Sequence, residues 1–316
     1  MGLLRKIIRI RAEDSPNVRA ALLQRAKGLP ITGETLVPGV LSWDEYLARR
    51  HSWDKVRQCI GLDGLFYEGA ETLWFPPEWL ANSERLADGL RGSHRTSRSM
   101  GVDPAEGGDR SCWVIGDNLG VIELLSILTP DTTVIVNTTL MLKSKHNVPA
   151  ENILFDRGGG GKQHADRLRG MGHRVRTVAF GESMMMDPVR GAPPIKTQKE
   201  GRETRYEYKN RRAQMYWELR EIMDPDGTRQ PPFAIPKEYV AIFDQLAPIP
   251  LVSERWNAYD GEGRIQLPPK TKKRPDSEEI TLTELIGHSP DESDALVLMV
   301  HGLLHKPKTA IAGAIY

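Results

Sequence analysis

Short apolar runs separated by turn residues occupy the middle of the chain. The runs at 100–103, 111–115 and 121–128 are interrupted by turns rich in glycine and aspartate, which predicts one strand followed by a hairpin. Two further strands are predicted at 152–156 and 174–180, because both stretches are apolar or β-branched and bounded by polar residues. The middle of the chain therefore has the pattern of a sheet.

Helical patterns alternate with these strands. Thr129-Pro130-Asp131 is a helix-start signal, with Thr129 as the cap, proline at the first position and an acid in the first turn. It favours a helix over 132–145, although the β-branched residues there also suit a strand. Helices are also predicted at 162–170, at 208–223, which is charged and amphipathic, and at 289–304, with Ser289 as cap and proline at the first position. This alternation predicts an α/β fold, a sheet flanked by helices.

The first 90 residues differ in composition from the rest of the chain, because tryptophans occur there among turn residues. Ser15-Pro16 predicts a helix over 17–27, and Ser42 with a glutamate at the capping-box position predicts another over 43–50. Residues 89–100 contain glycine, serine and arginine but almost no large apolar side chain, which is typical of a linker. We expect the main domain boundary there.

Composition narrows the classes of function. The chain has 316 residues, with 43 Lys and Arg against 42 Asp and Glu, a balance that argues against a histone-like coat but allows a locally basic groove. No apolar run reaches the roughly 18 residues of a membrane span, and the first residues do not form a signal peptide. Cys59 and Cys112 are too few and too far apart for a zinc or disulfide framework, which indicates a reducing, cytosolic setting.

Two aspartates directly follow predicted strands. Asp103 precedes small residues and glycines, and Asp156 precedes an arginine and four glycines, which leave room for a ligand or a backbone to approach the carboxylate. A surface Asx turn is an equal alternative for Asp103. The second stretch is not a phosphate-binding P-loop, because Lys162 is followed by Gln163 and Arg157 stands where a glycine is required; it also lacks the spacing of a dinucleotide-binding loop.

A third acidic site, this time a pair of aspartates, lies at the start of the last predicted helix. Asp291 and Asp294 are three residues apart and share a helix face. The helix dipole accounts for one acid at this end, but two facing carboxylates repel each other unless a cation lies between them. Carboxylates without cysteine or paired histidine favour Mg²⁺ or Mn²⁺. We therefore expect these acids to join Asp103 and Asp156 in one cluster, and two ions about 4 Å apart are the usual arrangement for phosphodiester cleavage.

Histidines and cations are distributed around these acids. The eight histidines form neither a His-Glu-x-x-His nor a His-x-His motif, and His164, His288 and His301 are predicted to be surface or capping residues rather than ligands. Basic runs follow the second aspartate and precede the third, and a phosphate backbone requires cations beside the metal site, although a solvated charged face is the alternative. The candidate DNA contacts are Arg157, Lys162, Arg211, Arg212, Lys272 and Lys273.

Four stretches together resemble a known family. GVDPAEGGD, NILFDRGGGGKQHADRL, YKNRRAQMYWELRE and SPDESDALVLM occur in the order and at the separations found in the C-terminal nuclease domain of the large terminase subunit of tailed bacteriophages. The resemblance covers about residues 96–305 and is specific for the four motifs together, not for any one of them. It implies an RNase H-like fold related to RuvC-type junction resolvases, with a mixed sheet flanked by helices.

The resemblance also implies site residues and partners. It assigns Asp103, Asp156 and Asp291 as catalytic ligands of Mg²⁺ or Mn²⁺ and Asp294 as a further metal ligand, and it leaves open which of the last two is the principal third ligand. The implied substrate is concatemeric double-stranded DNA, and the portal protein and the small terminase subunit are implied partners in the host cytoplasm. Weaker supporting acids are Glu106 and Asp109.

The ATPase motor of the family has no recognisable counterpart ahead of the linker, where neither a Walker A loop nor a Walker B acid is found. We therefore expect residues 1–95 to be a remnant of the ATPase domain and linker, 96–305 to be the nuclease domain and 306–316 a tail, with no ATP hydrolysis by this chain alone. The alternatives are a branched-DNA resolvase of the same fold and a catalytically silent packaging module left in a prophage.

Overall fold

The computed structural model describes residues 9–52, 55–65, 73–96, 98–186, 195–199, 202–205, 207–227, 232–253, 255–272, 274 and 277–305. The chain divides into two compact units. The smaller unit comprises Met1–Thr72 and Pro194–Tyr206, and the larger one comprises Leu73–Pro193 and Glu207–Tyr316.

The elements are numbered in chain order. The helices are α1 (Pro16–Ala26), α2 (Trp43–Ser52), α3 (Lys55–Gly61), α4 (Pro77–Gly89), α5 (Thr132–Lys145), α6 (Gly161–Gly170), α7 (Arg211–Met223), α8 (Val240–Leu246), α9 (Leu282–Ile286) and α10 (Asp291–Leu304). The strands are β1 (Ser99–Asp103), β2 (Ser111–Asp117), β3 (Gly120–Ile127), β4 (Ile153–Asp156), β5 (Arg176–Val178), β6 (Ile195–Lys199), β7 (Arg202–Arg205), β8 (Val252–Ser253) and β9 (Trp256–Asn257).

The smaller unit contains α1, α2 and α3 around a small apolar core, together with the antiparallel β6–β7 hairpin. Both helices predicted from capping signals are present. The hydroxyl of Ser42 accepts from the amide of Glu45 at 3.2 Å, and the Glu45 carboxylate accepts from the Ser42 amide at 3.0 Å, so the predicted capping box is confirmed. The core residues of this unit are Val18, Ala21, Trp43, Tyr46 and Leu62.

A five-stranded mixed sheet organises the larger unit. Its strand order is β3-β2-β1-β4-β5, with β1, β2 and β3 antiparallel and β1, β4 and β5 parallel. The hairpin and the two later strands lie where the sequence predicts them, within two residues at each end. The sheet is flanked by helices, so the predicted α/β fold class is confirmed.

Helices cover both faces of this sheet. On one face, Met100 and Val102 of β1 belong to a core with residues of α5 and α6. Because neighbouring residues of a strand point to opposite faces, Gly101 faces the other side, where α10 packs. Every residue of α10 from Asp291 to Leu303 is buried, which fits a helix enclosed by β1, β2, β4, α7 and α8.

The contact between β1 and α10 depends on a glycine. A Cβ placed on Gly101 would lie 2.0 Å from the carbonyl oxygen of Ala295 and 2.4 Å from the amide nitrogen of Met299. Any side chain there would push the helix away from the strand. The two elements that contain Asp103 and Asp291 are therefore in direct backbone contact.

Three predicted details of the helices need correction. Asp131, rather than Thr129, caps α5, because its carboxylate accepts from the Thr133 amide at 2.7 Å. Ser289 does not cap α10: Pro290 occupies the cap position, and the Ser289 hydroxyl donates to the Asp291 carboxylate instead. The predicted amphipathic helix 208–223 begins at Arg211 and is buried around nearly its whole circumference, because it packs against α10 and α4.

The compact units do not divide at the predicted linker, since α4 and residues 90–96 belong to the larger unit. The assignment of 1–95 as an ATPase remnant and of 96–305 as the nuclease domain stays a prediction, and the tail 306–316 lies outside the described residues. Among the described residues, no helix is both long enough and apolar enough to cross a membrane.

Candidate metal centre

Asp103 and Asp156 are neighbours at the edge of the sheet. They end β1 and β4, which run parallel with Val102 opposite Phe155, so the following residue of each strand is an aspartate. Parallel strands bring their carboxyl ends to the same edge, as the sequence pattern predicts. The two aspartates open into a cleft of about 310 Å³, which Asp291 also lines. The remaining lining residues are Pro104, Ala105, Glu106, Gly107, Asp109, Gly159 and Lys270.

Asp291 reaches the cleft from the first turn of α10. Its carboxylate accepts from the backbone amide of Arg110 at 3.0 Å and from the hydroxyl of Ser289. The ammonium of Lys270 lies 3.7 Å from the same carboxylate and 3.3 Å from that of Asp109. Lys270 is therefore the cation that the structure places among the acids of the cleft.

Asp294 lies one turn further along α10 and is buried. Its carboxylate is bound by the Arg212 guanidinium, whose Nη2 lies 2.8 Å from Oδ1 and 2.6 Å from Oδ2. The hydroxyl of Tyr216 also donates to Oδ1, at 2.8 Å. Asp294 thus has a fixed orientation set by two residues of α7, and it does not line the cleft as Asp291 does.

Burial and mutual repulsion make Asp103 and Asp156 hold their protons strongly. The pKa of Asp103 lies well above its usual range, first because the group is buried and then because of the charges of Asp294, Asp156 and Asp291. Burial raises the pKa of Asp156 to about 6; a hydrogen bond from the Gly158 amide opposes the rise, and Asp294 adds to it. Asp294 is the strongest of the carboxylate charges acting on both, so all four acids form one electrostatic cluster.

Asp291 and Lys270 respond to the same cluster. Burial raises the pKa of Asp291, against the opposing effects of the Ser289 hydroxyl, the Arg110 amide and Lys270. Burial alone would lower the pKa of Lys270, but the surrounding carboxylates raise it overall. Lys270 therefore stays protonated. Lys270 and the Arg212 guanidinium supply only two positive charges for four carboxylates, which is the condition under which a divalent cation binds well.

The glycines after Asp156 have the role that the sequence predicts for them. A Cβ on Gly158 would lie 2.9 Å from Oδ2 of Asp156, and one on Gly161 would lie 1.8 Å from its carbonyl oxygen. Gly160 has a φ of 78° and would place a Cβ 2.0 Å from Oε1 of Glu106. The backbone passes the Asp156 carboxylate so closely that only glycine fits.

The candidate DNA contacts have different environments. The prediction that Arg212 contacts DNA is wrong. Its side chain is 11% exposed and binds Asp294, so it is not available to a phosphate backbone. Arg157 pairs with Glu182 at 2.6 Å, and Lys272 lies 3.5 Å from Glu284. Arg211 donates to the carbonyl of Ser183, Lys162 is exposed on α6, and Lys273 lies outside the described residues.

Two of the three predicted surface histidines are buried. His301 is enclosed between α7 and α10, and His164 is buried on α6, whereas His288 is exposed as predicted. His301 lies within hydrogen-bond distance of Glu218 of α7, a contact that no sequence motif predicts. The sequence spacing of His301 and His305, four residues apart at the end of a helix, is the one signal for this pairing.

Lys270 and Tyr216 are the site residues that sequence reasoning misses. Lys270 occurs in a basic run that suggests an exposed face, and only the fold brings it to Asp291 and Asp109. Tyr216 occurs among apolar residues of α7 and reads as core. Its separation of four residues from Arg212 puts both on one helix face, which could have indicated a shared partner.

The fold has known counterparts among solved structures. The nuclease domain of the large terminase subunit gp2 of bacterial virus Sf6 matches with a TM-score of 0.51 at 18% identity, over 74% of this chain and 99% of that one. A variant of the same domain with manganese and beta-thujaplicinol matches with a TM-score of 0.53 at 18% identity, over 74% and 99%. A variant with calcium gives 0.51 at 17% identity, over 74% and 100%.

No protein-family model and no curated protein matches the chain. The likeness to the solved domains is therefore one of structure at low sequence identity. It extends over nearly the whole of the other domain, and the mixed sheet with α10 packed on one face is consistent with it. The chain therefore has the mixed α/β fold of these solved terminase nuclease domains.

Proposed function

We propose that this chain is the metal-dependent endonuclease of a phage DNA-packaging terminase, and that it cuts concatemeric double-stranded DNA. The observation that supports this most directly is the meeting of Asp103, Asp156 and Asp291 in one cleft at the edge of the sheet. These acids come from three elements that are far apart in sequence, on a fold that the Sf6 nuclease domain shares. A purely structural role would not require three like charges together, two of them buried and the third half-buried.

The donor set fits a hard divalent cation. The ligands are carboxylate oxygens on short side chains at the ends of two strands and one helix, which is the chemistry that Mg²⁺ and Mn²⁺ prefer. We assign Asp103, Asp156 and Asp291 as ligands, with Asp294 as a further candidate. When bound, two such ions supply Lewis acidity toward a phosphate and lower the pKa of a bound water.

Other residues in and around the cleft make it suitable for binding a polyanion such as DNA. Lys270 keeps its proton and presents an ammonium beside Asp291, where a DNA phosphate oxygen would find a cation. The Arg110 amide and the Ser289 hydroxyl hold Asp291 in one orientation. Arg212 and Tyr216 do the same for Asp294. Lys162, exposed at the start of α6, offers a further cation that DNA would contact, and Arg157, beside Asp156, would do so on leaving its partner Glu182.

The family assignment implies partners. We infer that the chain works with the portal protein and the small terminase subunit in the host cytoplasm, and that it depends on a separate ATPase for translocation. These inferences follow from the proposed identity alone.

Cleavage of supercoiled plasmid tests the proposal. Wild-type protein with Mn²⁺ or Mg²⁺ should nick and linearise the plasmid, and chelation by EDTA should abolish the activity. Asp103→Asn and Asp156→Asn should each lower the rate at least about 100-fold, because the ions contribute several kcal/mol to the stabilisation of the transition state.

Asp166→Asn is the matched control, since Asp166 is an aspartate on the exposed side of α6 and pairs with Arg169 rather than with the cleft. It should cut at the wild-type rate. Equal rates in wild type, Asp103→Asn and Asp156→Asn would contradict the assigned site, and cutting in EDTA would contradict the metal requirement.

A further inference from the structure

A second cluster of potential metal ligands lies at the opposite end of α10 from the carboxylates. Glu218 of α7 lies between two histidines, with Oε2 2.9 Å from Nδ1 of His301 and Oε1 2.8 Å from Nε2 of His305. The two imidazole rings have their centroids 4.3 Å apart. Since His301 follows Asp291 by ten residues, about 15 Å of helix separates this cluster from the cleft.

The burial of Glu218 requires compensation. Its side chain is 0% exposed, and that of His301 is 3% exposed. A carboxylate removed from water is stable only when a positive charge or strong hydrogen bonds replace its hydration. The charge of Arg211 provides part of this. Two further arrangements can add to it: a proton shared with an imidazole, or a divalent ion held by the carboxylate together with two neutral imidazoles.

The geometry is close to that of a bound transition metal. One potential ligand atom from each of the three residues lies within 4.8 Å of the others. A tetrahedral Zn²⁺ with ligands at about 2.0–2.2 Å spaces them roughly 3.3–3.5 Å apart. The present separations, 2.9 Å from His301 to Oε2 and 2.8 Å from His305 to Oε1, involve different oxygens of Glu218. An ion bound through both oxygens requires each histidine to move away from the carboxylate by about 0.5 Å.

The composition of the cluster selects among metals. Two imidazoles and one carboxylate suit Zn²⁺, Co²⁺ or Ni²⁺, whereas Mg²⁺ and Mn²⁺ prefer the all-oxygen set of the cleft. Access is available on one side, because the His305 side chain is 20% exposed at the end of α10. A water arriving from that side would complete four-coordination.

We propose that Glu218, His301 and His305 bind one transition-metal ion of the Zn²⁺ type, at a site separate from the carboxylate centre. The ion would join α7 to the last turn of α10. That turn is also held by Arg176, whose Nη1 donates to the His305 carbonyl at 2.8 Å. The ion would therefore stabilise the C-terminal end of the helix whose N-terminal end contributes to the cleft.

Metal titration of the full chain tests this inference without any measurement of DNA cleavage. The protein is first stripped of metal and then kept in excess Mg²⁺, which occupies the carboxylate centre. Zn²⁺ is titrated by calorimetry, and Co²⁺ is followed by its visible ligand-field bands. We expect one equivalent to bind with the spectrum of a tetrahedral nitrogen–oxygen site, and the protein to melt at a higher temperature with Zn²⁺.

The decisive variant is His305→Gln, because His305 is the most exposed of the three ligands and its loss disturbs the core least. Its affinity for Zn²⁺ should fall by more than the roughly 10- to 100-fold that is lost when a partner outside the ligand set is removed. His94→Gln, at an exposed histidine, is the matched control and should bind as wild type. Asp103→Asn should also bind as wild type, which separates this site from the cleft.

Nitrogen NMR of the imidazoles gives an answer that does not depend on variants. Zn²⁺ should shift two of the eight histidines in the wild-type protein. Absence of saturable Zn²⁺ binding in excess Mg²⁺, binding that is unchanged in His305→Gln, or a shift of other histidines would overturn the proposal and leave Glu218 as a hydrogen-bonded core carboxylate.

Discussion

Arg212 and Asp294 form a buried two-point ion pair, in which two nitrogens of the guanidinium bind the carboxylate: Nη2 lies 2.8 Å from Oδ1 and 2.6 Å from Oδ2, and Nε lies 3.2 Å from Oδ1. Asp294 is also the carboxylate whose charge acts most strongly on Asp103. The pair therefore connects the interior of the α7–α10 packing to the metal centre. A change in Arg212 should be felt in the stability of the fold as well as in the cleft.

Arg212→Ala should lower the free energy of unfolding by about 3–5 kcal/mol, because it leaves the Asp294 carboxylate buried without its partner. Arg212→Lys should be less damaging but should not restore the wild-type value, since an ammonium does not reproduce the two-point contact of a guanidinium. Urea unfolding at neutral pH measures both. Arg157→Ala, at a partly exposed arginine, should cost less than about 1 kcal/mol. Similar losses in Arg212→Ala and Arg157→Ala would show that the buried pair contributes little.

We expect Asp291 to be a metal ligand and Asp294 to be a structural acid. Asp291 lines the cleft, whereas both oxygens of Asp294 are bound by Arg212. Asp291→Asn should therefore weaken Mn²⁺ binding at least about 10-fold with little loss of stability. Asp294→Asn should mainly lower the free energy of unfolding, because it leaves the Arg212 guanidinium uncompensated. Calorimetric titration with Mn²⁺ and urea unfolding of both variants measure these two effects. A larger loss of Mn²⁺ affinity in Asp294→Asn than in Asp291→Asn would make Asp294 the third ligand.

The metal-free protein should lose stability as the pH rises through the titration of Asp156. The pKa of this group rises from 3.8 to about 6 on folding, chiefly because of burial. The folded state therefore binds the proton more tightly, and its contribution to stability is present below pH 3.8 and lost as the pH passes about 6. The loss is of the order of 2–3 kcal/mol.

The difference in the free energy of unfolding between wild type and Asp156→Asn, measured in EDTA, isolates the contribution of Asp156 from those of the other acids. The variant should gain stability relative to wild type between pH 4 and pH 7, by about 2–3 kcal/mol. Mn²⁺ should stabilise the wild type at pH 7 and lose this effect below about pH 6, because the ion and the proton compete for the same oxygens. A pH-independent difference between the two proteins would contradict the raised pKa of Asp156.

Gly101→Ala should disturb the fold and the cleft together. Its Cβ would lie 2.0 Å from the Ala295 carbonyl, so α10 must move away from β1, at a cost of about 3 kcal/mol or more. Gly170→Ala at the end of α6 is the matched control, because nothing lies within 4 Å of its Cβ. That variant should match the wild type or gain up to about 1 kcal/mol. Thermal unfolding compares the two, and equal melting temperatures would mean that the β1–α10 contact is not tight.

The sheet and the meeting of Asp103 with Asp156 follow from local sequence patterns. Each aspartate ends an apolar strand, and parallel strands place such ends at one edge. Arg212 could not be placed in this way, since a charged residue in a basic run reads as exposed until the partner from α10 is known. Lys270 and Glu218 raise the same difficulty. Their environments are created by contacts between elements far apart in sequence, and no local periodicity contains that information.

The packing of β1 directly on α10 also determines when the cleft can exist. β1 is the first strand of the sheet in chain order, and α10 is the last helix of the described chain. Asp103 therefore leaves the ribosome long before Asp291 does, and the cluster assembles only after the intervening residues have been synthesised. Because non-local contacts of this kind form late in folding, a nascent or partly folded chain lacks the complete acidic cluster. Under the proposed function, the chain is inert toward the DNA around it until its last helix has docked.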